Sequence, residues 1–129
     1  MGMEETPKPT SMELEILRVL WERGPSTVRE VHEVLTRSKP TGYTTVLKLL
    51  QIMTAKGTVT RNEEARAHVY EARLPAENTK RQLVGDLLRR AFAGSASQLM
   101  MHALAGRKTS AAEIEEIRRL LDEYERKSK

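Results

Sequence analysis

The chain has 129 residues, a net charge of +4, 39% apolar and 31% charged side chains, and no cysteine. This length allows one domain or a small domain with an appendage, and the lack of cysteine excludes disulfides and thiolate metal sites. No apolar run approaches a membrane span and the N-terminus lacks the regions of a signal peptide, so a cytoplasmic protein without membrane insertion is expected. Only five residues are Phe, Trp or Tyr. A single large core is therefore not expected, and some apolar surface should be buried between subunits.

Residues 1–9 contain Pro7 and Pro9 and no periodicity, and read as a disordered lead-in. Thr10 with Glu13 is a capping-box pattern that opens a first helix through Leu14, Leu17, Val19, Leu20 and Trp21, ended by Gly24-Pro25. Ser26 or Thr27 can cap a second helix, with Glu30 three residues after Thr27 and Val28, Val31, His32, Val34 and Leu35 on its buried side. Lys39-Pro40-Thr41-Gly42 is a break. A third helix runs from about Tyr43 to Lys56 with Gly57 as its cap. On a helical wheel Val46, Leu49, Leu50 and Met53 share one side, and Thr44, Lys48, Gln51 and Ala55 share the other.

The period then shortens. Thr58 to Arg61 and Ala67 to Ala72 are rich in β-branched or aromatic residues and predict a hairpin around the polar turn Asn62-Glu63-Glu64-Ala65. After Pro75 a fourth helix is expected over Ala76 to Ala93. Gly94 follows, and Ser95 with Gln98 opens a short fifth helix. Ser110 with Glu113 opens a last one. The fold class is mainly α with a small β-hairpin. Residues 10–74 form a winged helix-turn-helix and residues 75–129 a three-helix dimerisation region. The C-terminal stripes, Leu83, Leu87, Leu88 and Phe92, then Leu99, Met100 and Leu104, then Ile114, Ile117 and Leu121, lack an internal core. A second copy of the chain is their simplest partner.

Charge is unevenly placed. Residues 1–33 hold four basic against seven acidic side chains, whereas residues 34–66 hold six basic against two acidic ones. A polyanion-binding face is expected around the third helix. Thr44, Thr45, Lys48 and Gln51 suit base edges and phosphates of a DNA major groove. Lys39, Thr41 and Tyr43 precede or start that helix, where phosphate contacts form. Arg61 and Arg66 bracket the hairpin turn; they suit phosphate or the minor groove, while Glu63 and Glu64 offer an ion pair within the hairpin instead. His32, His68 and His102 have no ligand spacing, and no nucleophile elbow or glycine-rich phosphate loop occurs, so no metal, cofactor or enzymatic activity is expected. The residues allow two readings: a specific DNA-binding regulator, or a winged helix used as a protein-interaction module without specific DNA binding.

Thr10-Ser11-Met12-Glu13-Leu14-Glu15-Ile16-Leu17, Val19-Leu20-Trp21, Gly24-Pro25-Ser26-Thr27-Val28-Arg29-Glu30-Val31, Gly42-Tyr43-Thr44-Thr45-Val46, Lys56-Gly57 and Arg66-Ala67-His68-Val69-Tyr70 resemble the penicillinase-repressor (BlaI/MecI) family. The likeness is close over residues 10–74 and extends to the C-terminal helices in layout. It implies a homodimeric repressor on a double-stranded DNA operator, pseudo-palindromic with TACA and TGTA half-sites, with Thr44 and Thr45 in the major groove. It also implies a pathway in which a membrane-bound sensor protease triggers cleavage in the dimerisation region. In the β-lactam-responsive members that cut falls at an Asn-Phe pair. The corresponding stretch here is Met101-His102-Ala103-Leu104. The C-terminal cysteines of copper-responsive relatives are absent too.

Overall fold

Helix α1, Ser11–Arg23, begins where the sequence pattern places it. The Thr10 hydroxyl accepts the Glu13 amide at 3.2 Å, and the Glu13 carboxylate accepts the Thr10 amide at 3.1 Å. Helix α2, Val28–Ser38, repeats the device with Thr27 and Glu30. Each box satisfies two amides that a helix start leaves without partners. Helix α3, Tyr43–Lys56, ends at Gly57. There φ is 85° and ψ 12°, and the amide returns to the carbonyls of Met53 and Thr54. Only glycine takes this left-handed cap without a steric penalty. The computed structural model describes residues 7–64 and 66–128. Most of the predicted lead-in over residues 1–9, and Ala65 of the predicted hairpin turn, lie outside the described residues.

The predicted hairpin is formed by β2, Val59–Asn62, and β3, Val69–Ala72, paired antiparallel from Val59 opposite Ala72 to Asn62 opposite Val69. Ala67 and His68, expected in the second strand, lie in the loop beyond the last of these pairs. A third strand, β1, was not expected. Ser26 and Thr27 pair antiparallel with Tyr70 and Val69, which makes β3 the centre of a three-stranded sheet. Thr27 thus closes the sheet with its backbone and caps α2 with its hydroxyl.

The chain divides into two compact units, one ending at Gly85 and the other starting at Asp86, inside helix α4, Ala76–Phe92. The core of the first joins Ile16, Leu17, Val19 and Leu20 of α1, Val28, Val31 and Leu35 of α2, and Val46, Leu50 and Met53 of α3 to Val59 and Tyr70 of the sheet. A charged group is buried with them. Glu13 is 2% exposed, and its second carboxylate oxygen takes the Lys56 ammonium at 2.9 Å. The start of α1 is thereby tied to the end of α3. The Trp21 indole donates to the Leu74 carbonyl at 3.1 Å, holding the exit from the sheet against α1.

The second unit holds the rest of α4, then α5, Ala96–Ala105, and α6, Ala111–Lys127. Of the two capping boxes expected here, half of each is present. Ser95 and Ser110 accept the amides of Gln98 and Glu113. The Glu113 carboxylate pairs with Arg107 at 3.1 Å, which draws it away from the reciprocal bond. No described residue of α4, α5 or α6 is buried within the single chain. No helix among the described residues is long and apolar enough to cross a membrane.

Candidate nucleic-acid interface

Helix α3 turns Val46, Leu50 and Met53 into the core. That orientation fixes the opposite face. Thr44, Thr45, Lys48, Gln51, Ile52 and Ala55 are all exposed, and the helix contains no carboxylate. The four polar residues predicted to meet DNA therefore share one accessible arc. Ile52, which is not among the predicted contacts, lies between Lys48 and Thr45 on the wheel and is 46% exposed. Its position away from the buried stripe was the signal that could have found it.

The start of α3 differs from the starts of α1 and α2. Its N-cap is Gly42, with no side-chain hydrogen bond, and its first turn carries no acidic residue. The Val46 amide is the first to return to the helix, on the Gly42 carbonyl at 3.2 Å. The amides of Tyr43, Thr44 and Thr45 precede that bond and point along the helix axis, in a field that favours an anion. The preceding turn is held firmly. His32 donates from Nε2 to the Thr41 carbonyl at 2.7 Å, and its ring meets Tyr43 edge-on at 5.7 Å. The Thr41 hydroxyl donates to the Lys39 carbonyl at 3.1 Å, so it helps to build the turn as well as bordering the helix start.

Internal pairing redistributes the basic excess. Lys39 pairs with Glu15 at 3.5 Å, Lys56 with Glu13 at 2.9 Å and Arg61 with Glu63 at 2.5 Å. Hydrogen bonding to Tyr70 and then to Glu63 raises the Arg61 pKa above its ordinary value, so the guanidinium is held charged inside the hairpin. Arg37, Lys48 and Arg66 have no ion pair recorded among the described residues. Of the two hairpin arginines, Arg66 is the one without a carboxylate partner among the described residues. Arg29, also exposed and without a recorded ion pair, sits in the first turn of α2. Nothing in its local sequence separates it from any solvated helix position.

A groove runs between the first turn of α2, the first turns of α3 and the hairpin loop, with Arg29, Tyr43, Arg66 and His68 among its lining residues. The predicted contacts thus fall into three sets: the α3 face, its entry turn with Lys39, Thr41 and Tyr43, and the hairpin side, where Arg66 shares a groove with Tyr43 while Arg61 is engaged by Glu63. The histidines are dispersed, His32 on α2 against the entry turn, His68 exposed and His102 against Phe92. No cluster of His, Asp or Glu among the described residues could hold a metal ion.

Comparison with known proteins agrees with this architecture. The family model described as penicillinase repressor matches residues 9–123. The penicillinase repressor of Bacillus licheniformis is 23% identical over 127 residues, covering 98% of this chain and 99% of the relative. The transcriptional regulator BlaI of Mycobacterium tuberculosis is 33% identical over 116 residues, covering 88% of this chain and 83% of the relative. Among solved structures, the DNA-binding domain of the repressor BlaI is similar with a TM-score of 0.52 at 24% identity, over 59% of this chain and 93% of that one. The monomeric form of Bacillus licheniformis BlaI in complex with the blaP half-operator gives a TM-score of 0.51 at 24% identity, with the same coverage. Those two share the winged-helix fold with 59% of this chain. The named relatives are repressors and transcriptional regulators rather than enzymes. Matched along most of its length, the chain belongs to the penicillinase repressor family.

Proposed function

We propose that the chain is a dimeric transcriptional repressor that occupies a pseudo-palindromic operator with TACA/TGTA-type half-sites. One observation carries the reading: α3 presents Thr44, Thr45, Lys48 and Gln51 on an exposed face free of carboxylates, beside an uncapped helix start. Such a face suits the major groove, where threonine and glutamine meet base edges and lysine meets guanine or phosphate. Arg66 and the entry turn flank it at the backbone. The half-operator complex of a family relative supports one winged helix per half-site.

The C-terminal helices support dimerisation. Leu87, Met100 and Leu121 are exposed, and Leu83, Leu88, Phe92, Leu99, Leu104, Ile114 and Ile117 are only half-buried. Apolar stripes left this open are covered by a second copy in the simplest closed assembly. Two linked half-site contacts then bind far more tightly than two independent ones. Dimer stability is the point of control. With Met101-His102-Ala103-Leu104 in place of an Asn-Phe pair, a sensor protease acting in this pathway has to cut at another bond.

The test is a mobility-shift titration of a TACA/TGTA duplex and a scrambled duplex across a salt series. Preference for the palindrome that persists at physiological salt is expected. Equal, weak and steeply salt-sensitive binding to both duplexes would remove the specific-repressor reading. No shift of either at low salt would leave the protein-interaction module.

A further inference from the structure

The groove beside α3 differs in chemistry from another large groove of the first unit. That one, between α1 and α2, is lined by both signs of charge, with Glu15 and Glu22 facing Arg18 and Lys39. The groove beside α3 is lined by Arg29, Arg66 and His68, with the aromatic residues Tyr43 and Tyr70, and by no carboxylate among the described residues. The one acidic residue in the first turn of α2, Glu30, is engaged elsewhere. It binds the Arg23 guanidinium at 2.9 Å and the Thr27 amide at 2.9 Å. Arg29 and Arg66 come from separate elements, and neither has an ion pair recorded among the described residues. Two uncompensated guanidiniums on one groove repel each other unless an anion lies between them.

The groove has a volume of about 520 Å³. That is many times the roughly 30 Å³ of a water molecule, which leaves room for a phosphate group. The groove's position selects the polymer that carries that phosphate. Tyr43 and Leu47 form its α3 wall, and on the wheel they adjoin Thr44 and Gln51 of the reading face. A helix seated in a DNA major groove has a phosphodiester strand along its flank, because the groove is only about 12 Å wide. From these observations we infer that Arg29, Tyr43, Arg66 and His68 form a backbone cradle that holds phosphates of the DNA strand bordering the groove that α3 enters. The inference rests on the DNA-binding reading above and adds to it Arg29, His68 and the role they share with Tyr43 and Arg66. The cradle grips every sequence alike. It sets affinity and register, and the α3 face sets sequence preference.

The experiment compares Arg29→Gln and Arg66→Gln with the wild type and with Arg18→Gln, a control that removes a charge from the mixed-sign groove. Binding to the TACA/TGTA duplex and to the scrambled duplex is measured from 50 to 200 mM salt. Each cradle variant should weaken binding to both duplexes by the same factor and flatten the plot of log K against log salt by about 0.9 per half-site. The advantage of the wild type over the variant therefore shrinks about 3.5-fold per half-site over that salt range. Arg29→Lys should restore the slope, since it restores the charge. Arg18→Gln should change neither quantity, and thermal melting should be unaltered in all four variants because the side chains are exposed. Unchanged slopes in both cradle variants, with palindrome binding intact, would overturn the cradle and leave the repressor reading standing. So would a loss confined to the palindrome at constant slope, which is the mark of a base contact. Failure of the wild type to bind either duplex at low salt would overturn both.

Discussion

The ion pair between Glu13 and Lys56 ties α3 to α1, and its asymmetry makes a sharp test. The Glu13 side chain is 3% exposed and that of Lys56 34%. Replacing Lys56 by Met keeps the aliphatic stem but leaves a buried carboxylate without its cation. Breaking a fully buried pair in this way costs about 3–5 kcal/mol. Water reaches the lysine end here, so a cost of roughly 1–3 kcal/mol is expected. Glu13→Gln is milder. The amide oxygen still accepts the Thr10 amide, and the freed ammonium turns to solvent, so the loss is about 1 kcal/mol. The double variant strands no charge. It should be more stable than Lys56→Met alone, with a coupling of about 1 kcal/mol or more. Urea unfolding reports this directly, because Trp21, the only tryptophan, lies in the first unit and its fluorescence follows that unit. In a domain of this size each kcal/mol also moves the melting temperature by about 4–8 °C. Additive effects within about 0.5 kcal/mol, or a Glu13→Gln variant less stable than Lys56→Met, would refute the reasoning.

Three further outcomes are expected. Glu30 has its pKa lowered chiefly by the Thr27 amide hydrogen bond and then by Arg23. Its contribution to stability is therefore present above the ordinary value of 4.5 and fades as pH falls through the depressed one, so Glu30→Gln should flatten the acid limb of a melting-temperature profile. Ile52 is exposed beside Thr45 and Lys48, and on the proposed reading it meets thymine methyl groups; replacing operator thymines by deoxyuridine should weaken the wild type but not Ile52→Ala, and equal sensitivity in both proteins would discard that contact. Leu121→Asp alters a side chain that is 62% exposed in the single chain, so the monomer should stay folded while sedimentation shows loss of the proposed dimer; a dimer that persists would move the interface off α6, and a monomeric wild type would discard the dimer itself.

The parts of this structure that were legible in the sequence are those set by neighbours along the chain. Thr10 with Glu13 and Thr27 with Glu30 are three residues apart, and both boxes form. The Val46, Leu50 and Met53 stripe is a local period, and it faces the core as expected. What escaped depends on residues distant in sequence. Strand β1 is two residues long, too short to show any period, and its partners Val69 and Tyr70 lie on the far side of α2 and α3. Lys56 counted toward a basic surface, yet it pairs with Glu13, 43 positions earlier. Arg29 gained its setting only when the hairpin loop was folded beside α2. Residues 34–66 hold six basic side chains, but three of them pair with carboxylates, so formal charge along the chain overstates the field that a ligand meets.

Gly42 carries a consequence for anyone engineering this protein. Its φ of −74° and ψ of 143° suit any residue, and an added Cβ would come no closer than 3.6 Å to a neighbouring atom, the Thr45 hydroxyl oxygen. Neither backbone nor space requires glycine there. A thermostabilisation campaign would be drawn to Gly42→Asp, which supplies the missing cap for a gain of a few tenths of a kcal/mol. On the proposed DNA-binding reading, the same carboxylate would stand where the helix start meets a phosphate, repelling the ligand and occupying the amides that would hold it. The most accessible gain in melting temperature is thus one that a functional screen should reject, and variants selected on heat resistance alone should accumulate at this position those that no longer bind DNA.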